Sequence, residues 1–320
     1  MKTNELKQLS IIIPHYNTPK LLRRLLLSIP YEVETIVVDD KSTDDLSEYA
    51  KLVNEFANVS FYSNETDKKG AGVCRNIGIA HAAGKWVLFA DADDYFTENF
   101  YKTVSKYFDA KEDLICFTPT SIEETTGELS HRHLHYETIV KNYLKDPTKK
   151  NTLTLRYEFP SPLCKMIRRS LVITENVLFD EIKNSEDYIF STKVGYFAKK
   201  FLAIDETIYV FTESQGSLSK KMSCERYSIH VQAFINVHNF LKAHLTKDEM
   251  KILDMAGLGF LFYGVKHKIK LSTLWKVFKR LKKNRIPIFK RKYKNPATVF
   301  KILKFNLGIY RKEKDYYVKE

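Results

Sequence analysis

Residues Lys85 to Tyr95 read KWVLFADADDY, and this stretch decides the fold. Its first half, Trp86 to Ala90, is an unbroken apolar run of strand length, which is typical of a central strand buried on both faces. Three carboxylates follow at once, from Asp91, Asp93 and Asp94. Because open α/β sheets bind ligands at the carboxyl ends of their strands, the stretch predicts a ligand site at this point.

The spacing of these carboxylates fits a divalent metal site. Asp91 and Asp93 stand two residues apart, so a strand end can turn both to one side, with the small Ala92 between them. Two hard oxygen ligands with open coordination positions suit Mg²⁺ or Mn²⁺ held jointly with a substrate phosphate. The alternative is a solvated turn that caps a helix from Thr97 onward, because aspartate is also a turn former.

Length and composition are those of a globular chain with an ample core. The 320 residues are 44% hydrophobic and 28% charged, which argues against disorder and allows one large domain or a domain with an appendage. The four cysteines lie far apart without a CxxC pair, so we expect free thiols rather than a zinc site or disulfides. The polar N-terminus and the absence of a membrane-length apolar run predict a cytoplasmic protein.

Strand and helix patterns alternate over the first 95 residues. Apolar strand segments occur at 9–14, 34–38, 59–63 and 86–90, with helical patterns at 20–29, at 44–56 and after Gly70. Ser42 or Thr43 is placed to cap the helix at 44–56. The alternation predicts an α/β fold with a doubly wound, mostly parallel sheet and a Rossmann-like nucleotide-binding half. Neither GxGxxG nor GxxxxGK[ST] is present, so dinucleotide and Walker-type sites are not supported.

Four motifs resemble the family 2 glycosyltransferases, which are inverting sugar-nucleotide enzymes of the A-type fold. The motifs are SIIIPHYNT at 10–18, VVDDKSTD at 37–44, GAGVCRNIGIAHAAGKWVLFADADD at 70–94 and NSEDYIF at 184–190. They occur in the family's order and spacing. His15 stands where an aliphatic residue is commoner, and Lys41 stands where the family's DDGS turn has glycine, which adopts positive φ without strain. Many members build capsule, lipopolysaccharide and other bacterial surface glycans.

The resemblance implies a UDP-sugar site at the ends of the first two strands. Pro14, Tyr16 and Asn17 would line the nucleoside pocket, with Tyr16 packed against the base. Asp39 or Asp40 would accept a hydrogen bond from the uracil N–H, and Asp40 is favoured. The transferred group would be a hexosyl or N-acetylhexosaminyl group.

The resemblance also implies the metal ligands and the catalytic base. Asp91 and Ala92 would contact the donor, with Asp91 reaching the ribose or the metal's water shell. Asp93 would bind the Mn²⁺ or Mg²⁺ that bridges the two phosphates. Asp187, beside Glu186, would be the general base on the acceptor hydroxyl. From the residues alone, this acidic pair is better explained as a helix start, where acids favour the dipole.

We expect a catalytic domain over 1–220 and a helical, basic extension over 221–320. The catalytic domain would divide into a nucleotide-binding half at 1–95 and an acceptor half at 96–220. Within the acceptor half, 121–158 is polar and irregular in pattern. The stretch HRHLH would place three histidines on one face of a strand, as a metal site or as part of an acceptor-side loop: His131, His133 and His135. Residues 161–169 resemble the family's W-N-K segment, and 214–221 resemble its flexible loop over the diphosphate.

The C-terminal extension carries the positive charge of the chain. Residues 266–320 have a net charge of +16, whereas the whole chain has +13, so the remainder is slightly acidic. Apolar residues recur at helical spacing opposite lysines and arginines, at Leu271, Leu274, Trp275, Phe278 and Leu281, and a second stripe follows within 299–310. The pattern favours an anionic membrane surface over nucleic acid, for which no module is present. A helix docked on its own domain with a solvated basic face is the alternative.

Two other functions fit part of the pattern. A sugar-phosphate nucleotidyltransferase would share the sheet and the metal acids, but it would carry a glycine-rich basic loop where residues 14–17 read PHYN. A catalytically inactive scaffold at the membrane would have no need of Asp91, Asp93 and Asp187. We therefore expect an enzyme on the inner face of the cell membrane that transfers a sugar from a UDP-sugar to a glycan, lipid-linked acceptor.

Overall fold

The alternating patterns of the first 95 residues form the predicted parallel strands in a computed structural model of the chain, which describes residues 7–213 and 222–291. The predicted loop at 214–221 and the second apolar stripe at 299–310 lie outside the described residues. The chain divides into two units. The first comprises Met1–Pro147 with Leu155–Ser214, and the second comprises Thr148–Thr154 with Gln215–Glu320.

The first unit opens with four strands that pair in parallel. The elements in chain order are β1 (Leu9–His15), α1 (Pro19–Leu27), β2 (Glu34–Asp39), α2 (Leu46–Glu55), β3 (Val59–Ser63), α3 (Ala71–His81) and β4 (Trp86–Phe89). In the sheet their order is β3-β2-β1-β4. His15 pairs with Asp39 in register, and Ile12 pairs with Phe89, so the carboxyl ends of these strands meet at one edge.

The rest of this unit completes an eight-stranded mixed sheet. The elements are β5 (Tyr95–Phe96), α4 (Phe100–Ser105), β6 (Leu114–Glu123), α5 (Leu134–Lys145), β7 (Lys165–Arg168), α7 (Arg169–Thr174), α8 (Asp187–Phe197) and β8 (Phe201–Glu213). Helix α6 (Lys149–Tyr157) follows α5 and is divided between the units, since Thr148–Thr154 belongs to the second. The full strand order is β3-β2-β1-β4-β7-β6-β8-β5. Strand β7 is antiparallel to both β4 and β6, and β5 is antiparallel to β8. The predicted α/β class with a mostly parallel sheet is confirmed.

The buried strands form the core that the apolar runs predict. Every side chain of β4 is fully buried, as are Ile11 to Ile13 on β1. Because β4 lies between two other strands with helices packed beside the sheet, its residues meet protein on both faces. The four cysteines are free thiols, as expected, and three of them are buried.

Several local predictions are wrong. Residues 121–158 contain two helices, α5 and α6, instead of irregular chain. Strand β5 and then α4, which begins at Phe100, follow the acidic cluster, so no helix starts at Thr97. Asp45, rather than Ser42 or Thr43, occupies the cap position of α2, because Ser42 bonds to the preceding Asp39.

The described part of the second unit, residues 222–291, consists of helices with a core of their own. The helices are α9 (Cys224–His244), α10 (Lys247–Leu253), α11 (Leu258–Lys266) and α12 (Leu271–Lys283). Buried residues from α9 and α12 form its apolar cluster, among them Tyr227, Val231, Ile235, Val277 and Leu281. Within the described residues, no helix combines the length and the apolar character needed to cross a membrane.

Candidate active site

Three carboxylates cluster directly after β4. Oxygen atoms of Asp91, Asp93 and Asp94 lie within 4.8 Å of one another, and Ala92 between them is buried. Asp94 is fully buried, and its Oδ1 accepts a hydrogen bond from the Thr212 backbone N–H at 2.7 Å. Its Oδ2 has no hydrogen-bond partner among the described residues. An unpartnered buried oxygen within a set of three hard oxygen donors fits Mg²⁺ or Mn²⁺.

The electrostatics of this cluster also favour a cation. Burial, followed by the charges of Asp93 and Asp91, raises the pKa of Asp94 well above its usual range. Desolvation and the charge of Asp91 raise the pKa of Asp93 as well. Neighbouring carboxylates disfavour each other's ionised forms, and a divalent cation between them would reverse that preference.

Arg132 brings a positive charge to the same cluster. Desolvation opposes the charged form of its guanidinium, but the carboxylates of Asp94 and Asp91 outweigh this and raise its pKa. The guanidinium lies over the Phe211 ring, 4.8 Å from its centroid. Arg132 lies just before α5. Its guanidinium therefore adds a positive charge from the protein itself to the acidic cluster.

Arg75 joins the acidic cluster to the second acidic motif. Its Nη2 donates to Asp91 Oδ1 at 2.6 Å, and its Nη1 donates to Glu186 Oε1 at 2.8 Å. The side chain is only 5% exposed, so both ion pairs are shielded from solvent. Burial alone would lower the pKa of Arg75, but the charges of Asp91, Glu186 and Asp187 raise it.

Asp187 is the first residue of α8, directly after the Glu186 that Arg75 holds. Burial, followed by the charge of Glu186, raises the pKa of Asp187 to about 7, against the opposing effect of Arg75. A carboxylate that titrates near neutral pH is suited to accept a proton. Glu186 occupies the cap position of α8 without a side-chain capping bond, so the acidic pair does stand at a helix start, as the residues alone also indicated.

A second buried cation lies on β7. Lys165 is 1% exposed, and its Nζ donates to the Phe159 carbonyl oxygen. Burial lowers the pKa of Lys165 to about 8, and the charge of Asp187 is one of the influences that oppose this. Lys165 belongs to the 161–169 segment, which resembles the family's W-N-K segment.

At the end of β1, His15 is bound to Asp39 of the neighbouring strand. The Thr18 backbone N–H donates to His15 Nε2 at 3.2 Å, so Nδ1 carries the proton and donates to Asp39 Oδ1 at 2.8 Å. The Ser42 hydroxyl and backbone N–H also donate to this carboxylate, at 2.6 and 2.9 Å. Burial would raise the pKa of Asp39, but the bonds from His15 and Ser42 lower it.

Asp40 links the end of β2 to the start of α3. Asn64 Nδ2 donates to its Oδ1 at 2.7 Å, and the Gly70 backbone N–H donates to its Oδ2 at 2.8 Å. The next residue, Lys41, has φ +61°, the left-handed conformation expected where related sequences have glycine. The turn therefore keeps its geometry with a lysine in that position.

Pro14, Tyr16 and Asn17 differ in exposure and role. Pro14 is half-buried, whereas Tyr16 is 49% exposed with the Lys69 Nζ 5.6 Å from its ring centroid. Asn17 has φ +54° and binds the opposite turn. Its Oδ1 accepts from the Thr43 N–H at 2.8 Å, and its Nδ2 donates to Asp44 at 2.9 Å. Asn17 thus holds two loops together, while Tyr16 presents an open aromatic face.

The strand face that would bring the three histidines together is not formed. His133 directly precedes α5 and His135 lies in its first turn, so the three histidines do not share a strand face. His133 Nδ1 pairs with the Ser121 hydroxyl at 2.7 Å, and His135 Nε2 lies 3.3 Å from the Glu158 carbonyl oxygen. Among the described residues, the group that could hold a metal is the aspartate cluster.

Sequence reasoning did not assign a role to Arg75, Asp94 or Arg132. Arg75 and Asp94 stand inside recognised motifs, GAGVCRNIG and DADD. Arg132 stands between two of the three histidines of the HRHLH stretch. The sequence contained one signal for Arg75. A single charged residue inside an apolar helical motif is buried only when it has a partner of opposite charge. The partner Glu186 lies 111 positions away, so the sequence did not identify it.

Comparison with known proteins places these motifs in one family. The sequence profile described as Glycosyl transferase family 2 matches residues 10–174. The chain is 26% identical over 216 residues to the poly(ribitol-phosphate) beta-N-acetylglucosaminyltransferase TarS of Staphylococcus aureus, covering 65% of this chain and 36% of that protein. It is 27% identical over 222 residues to the glycosyltransferase GlyA of Streptococcus pneumoniae, covering 67% and 32%.

Solved structures show the same fold. The chain is similar to residues 1–349 of S. aureus TarS in complex with UDP-GlcNAc, with a TM-score of 0.64 and 24% identity, over 84% of this chain and 79% of that one. It is also similar to the mannosyltransferase PcManGT from Pyrobaculum calidifontis in complex with GDP-Man and Mn²⁺, with a TM-score of 0.55 and 14% identity, over 97% and 83%.

The chain spans about a third of the length of TarS and GlyA. The family match, however, covers more than half of the chain and includes the strand-end acids and the arginine that joins them to the second motif. The chain belongs to glycosyl transferase family 2.

Proposed function

We propose that the protein is an inverting glycosyltransferase that moves a hexosyl or N-acetylhexosaminyl group from a UDP-sugar to a hydroxyl of a glycan acceptor. The observation that carries the proposal is the pair of ion pairs made by Arg75. One of them holds Asp91 of the metal-type cluster, and the other holds Glu186 beside Asp187. A donor-side cluster and a carboxylate poised to accept a proton are therefore connected through one buried side chain.

The nucleoside would bind at the ends of β1 and β2. The exposed ring of Tyr16 supports stacking with the base, beside Pro14 and the loop that Asn17 holds. The Asp39 carboxylate is held by His15 and Ser42. We therefore favour Asp40 as the acceptor for the uracil N–H.

Asp93 and Asp91 would hold the divalent metal, and the unpartnered oxygen of Asp94 supports a third contribution. The bound Mn²⁺ or Mg²⁺ would neutralise the negative charge that develops on the departing diphosphate. Arg132 supplies further positive charge to the same cluster from the protein itself.

Asp187 would act as the general base. As the acceptor oxygen forms its bond to the anomeric carbon and the bond to the diphosphate breaks, the hydroxyl proton passes to this carboxylate. The pKa of about 7 supports the role, because about half of the group is ionised at neutral pH and it can still hold the proton afterwards. A single in-line displacement inverts the anomeric centre, so an α-linked donor gives a β-linked product.

The acceptor would be a lipid-linked glycan of a bacterial surface polysaccharide, such as a capsule or lipopolysaccharide. TarS is by name a transferase to poly(ribitol-phosphate), which supports a surface polymer. Since lipid-linked glycans lie at a membrane, we place the protein on the cytoplasmic face of the cell membrane as a peripheral protein. The basic second unit supports this placement.

The test is a panel of UDP- and GDP-sugars, beginning with UDP-GlcNAc, added to the purified protein with Mn²⁺ or with a chelator. Melting temperature and slow donor hydrolysis are measured. A donor present at about a hundred times its Kd stabilises the folded protein by about 2.7 kcal/mol, which raises Tm. We expect one UDP-sugar to raise Tm with the metal, and Asp93→Ala to abolish the rise.

Asp109→Ala is the matched control, since the Asp109 side chain is 99% exposed in the same unit. It should leave the donor-dependent rise in Tm unchanged. If no sugar nucleotide stabilises or is hydrolysed by the folded protein, the transferase proposal is wrong and a scaffold role takes its place. Equal stabilisation by a UDP-sugar with the chelator would instead remove the proposed metal.

A further inference from the structure

Helices α11 and α12 leave an open apolar groove in the second unit. The groove measures about 500 Å³, and all of its lining side chains are apolar. They include Leu261, Phe262, Val265, Leu271, Trp275 and Phe278. A contiguous apolar surface of this kind marks an interaction site on a water-exposed protein.

The apolar stripe of α12 serves two different surfaces. Val277 and Leu281 are buried in the core of the unit, at 1% and 0% exposure. Leu271 and Trp275 on the same helix are 81% and 58% exposed, and Val265 of α11 is 61% exposed. The helix is therefore docked by its inner residues, while its outer residues face away from that core.

Lysines surround this outer surface. The stretch 255–291 contains 11 lysines and arginines and no acidic residue. Lys266, Lys276 and Lys279 are exposed on the two helices that form the groove. The Lys279 Nζ lies 5.3 Å from the Trp275 ring centroid, so positive charge and aromatic surface are directly adjacent. Exposed aromatic and aliphatic residues with lysines beside them are the features of a helix that lies in a lipid interface.

We propose that the α11–α12 groove docks the protein on an anionic lipid bilayer, with Leu271, Trp275 and Val265 entering the interface and the lysines at the headgroups. Charge decides the occupant. A second copy would bring two wholly cationic surfaces together, and like charges across an interface oppose association. Nucleic acid would match the charge, but it would leave the aliphatic side chains without an apolar partner.

This docking surface rests on the proposed function. It identifies the part of the second unit through which the proposed transferase would contact the membrane. A transferase that draws its donor from water and its acceptor from a membrane needs a face that adsorbs without crossing the bilayer. The second unit supplies such a face although no described helix could span a membrane. Anionic lipid is the partner that satisfies both the charge and the apolar groove.

The chain contains its own reporter for this test. It has two tryptophans, and Trp86 is fully buried in the sheet while Trp275 is exposed. The full-length protein is mixed with vesicles of phosphatidylcholine alone, or of equal parts phosphatidylcholine and phosphatidylglycerol. We expect Trp275 emission to shift to shorter wavelength only with phosphatidylglycerol, and to be quenched by brominated acyl chains. Emission that stays unchanged while the protein sediments with the vesicles would show that another surface binds.

Substitutions separate the apolar contribution from the charge. We expect Val265→Ser with Leu271→Ser to weaken binding to the mixed vesicles by about tenfold or more, because exposed apolar side chains lose their burial in lipid. Lys276→Gln should weaken it by about fivefold, as expected for one lysine near an anionic surface. Leu27→Ser is the control, since Leu27 is 60% exposed on α1 and should leave binding unchanged.

Vesicle binding that survives the double serine variant would overturn the proposal and assign the attraction to charge alone. A concentration-dependent dimer that the same variant dissociates would overturn it in favour of a second copy. Donor stabilisation is measured separately without vesicles. If the unsubstituted protein bound a donor but no anionic vesicles, only the docking surface would be refuted, and vesicle binding without donor binding would refute only the transferase.

Discussion

Arg75 is the positive charge between the two acidic motifs of the candidate site. It is almost fully buried, and it pairs with Asp91 on one side and Glu186 on the other. A buried arginine is tolerated only with such partners, because its guanidinium does not lose its proton. Its positive charge also opposes the rise in the pKa of Asp187.

Arg75→Gln should move the pH dependence of donor turnover. Without the guanidinium, the pKa of Asp187 rises above its present value of about 7. A general base is active when deprotonated, so the rate falls about tenfold for each pH unit below that pKa. We therefore expect the acidic limb of the pH–rate profile to shift to higher pH, measured by hydrolysis of the donor that stabilises the protein.

Arg75→Lys and Arg23→Gln are the controls for this change. The lysine variant keeps the charge and should retain most of the original profile. Arg23 pairs with Glu55 at the exposed surface, so its loss should leave the profile unchanged. An acidic limb that stays in place while the plateau falls would show that Arg75 acts on donor binding alone.

Some residues of the site could be predicted because a sequence shows which chemical groups stand close together along the chain. Asp91, Asp93 and Asp187 stand in motifs, and the left-handed conformation at Lys41 was expected from the family's glycine. Left-handed backbone also occurs at Asn17, Cys164 and Ser185, where nothing local required it. Such strain persists only where the surrounding structure enforces it, so it follows from the fold and not from the residue.

At the scale of elements, the site depends on how closely the start of α3 approaches the loop before α8. A Cβ built on Gly72 would lie 2.4 Å from the Asp180 carbonyl oxygen and 3.0 Å from the Glu186 side chain. Real Cβ atoms do not come that close to backbone. Glycine is therefore required at this helix position by its neighbour, and not by its own dihedral angles.

Gly72→Ala should reduce donor turnover although alanine favours helix by about 1 kcal/mol over glycine. The added methyl displaces the 180–186 loop, and with it the Glu186 that Arg75 binds. We expect slower hydrolysis and a lower Tm. Gly259→Ala is the matched control, because Gly259 lies in helix α11 with nothing within 4 Å of its Cβ position. A faster or more stable Gly72→Ala protein would contradict the close approach.

The elements that could be predicted are those whose pattern is local and unbroken. The run from Trp86 to Phe89 predicts its own strand because every residue is buried. Helix α5 was not predicted, since Ile139 and Val140 are its fully buried residues in a largely polar stretch. The antiparallel insertion of β7 between β4 and β6 depends on pairings such as Trp86 with Arg168, which no periodicity reveals.

At the scale of the whole molecule, the described residues form two apolar cores. One surrounds the eight-stranded sheet and includes Leu88, and the other lies among α9, α11 and α12 and includes Leu281. The charge is also unevenly distributed along the chain. Residues 266–320 carry an excess of positive charge, and the remainder is slightly acidic. The charge division was visible in the sequence, whereas the second core required the packing of α12 by its inner residues.

Leu281→Ala should therefore destabilise the helical unit selectively. Leu281 is fully buried, and removing such a side chain costs about 2–5 kcal/mol through the lost burial and the cavity left behind. Hydrogen exchange followed by mass spectrometry should show faster exchange in 222–291 and unchanged exchange in β1 to β4. The UDP-sugar-dependent stabilisation of the first unit should remain.

Leu88→Ala, an equally buried leucine of β4, should give the opposite pattern, with faster exchange in the sheet. Faster exchange in both units from Leu281→Ala would show that the two cores unfold as one cooperative structure.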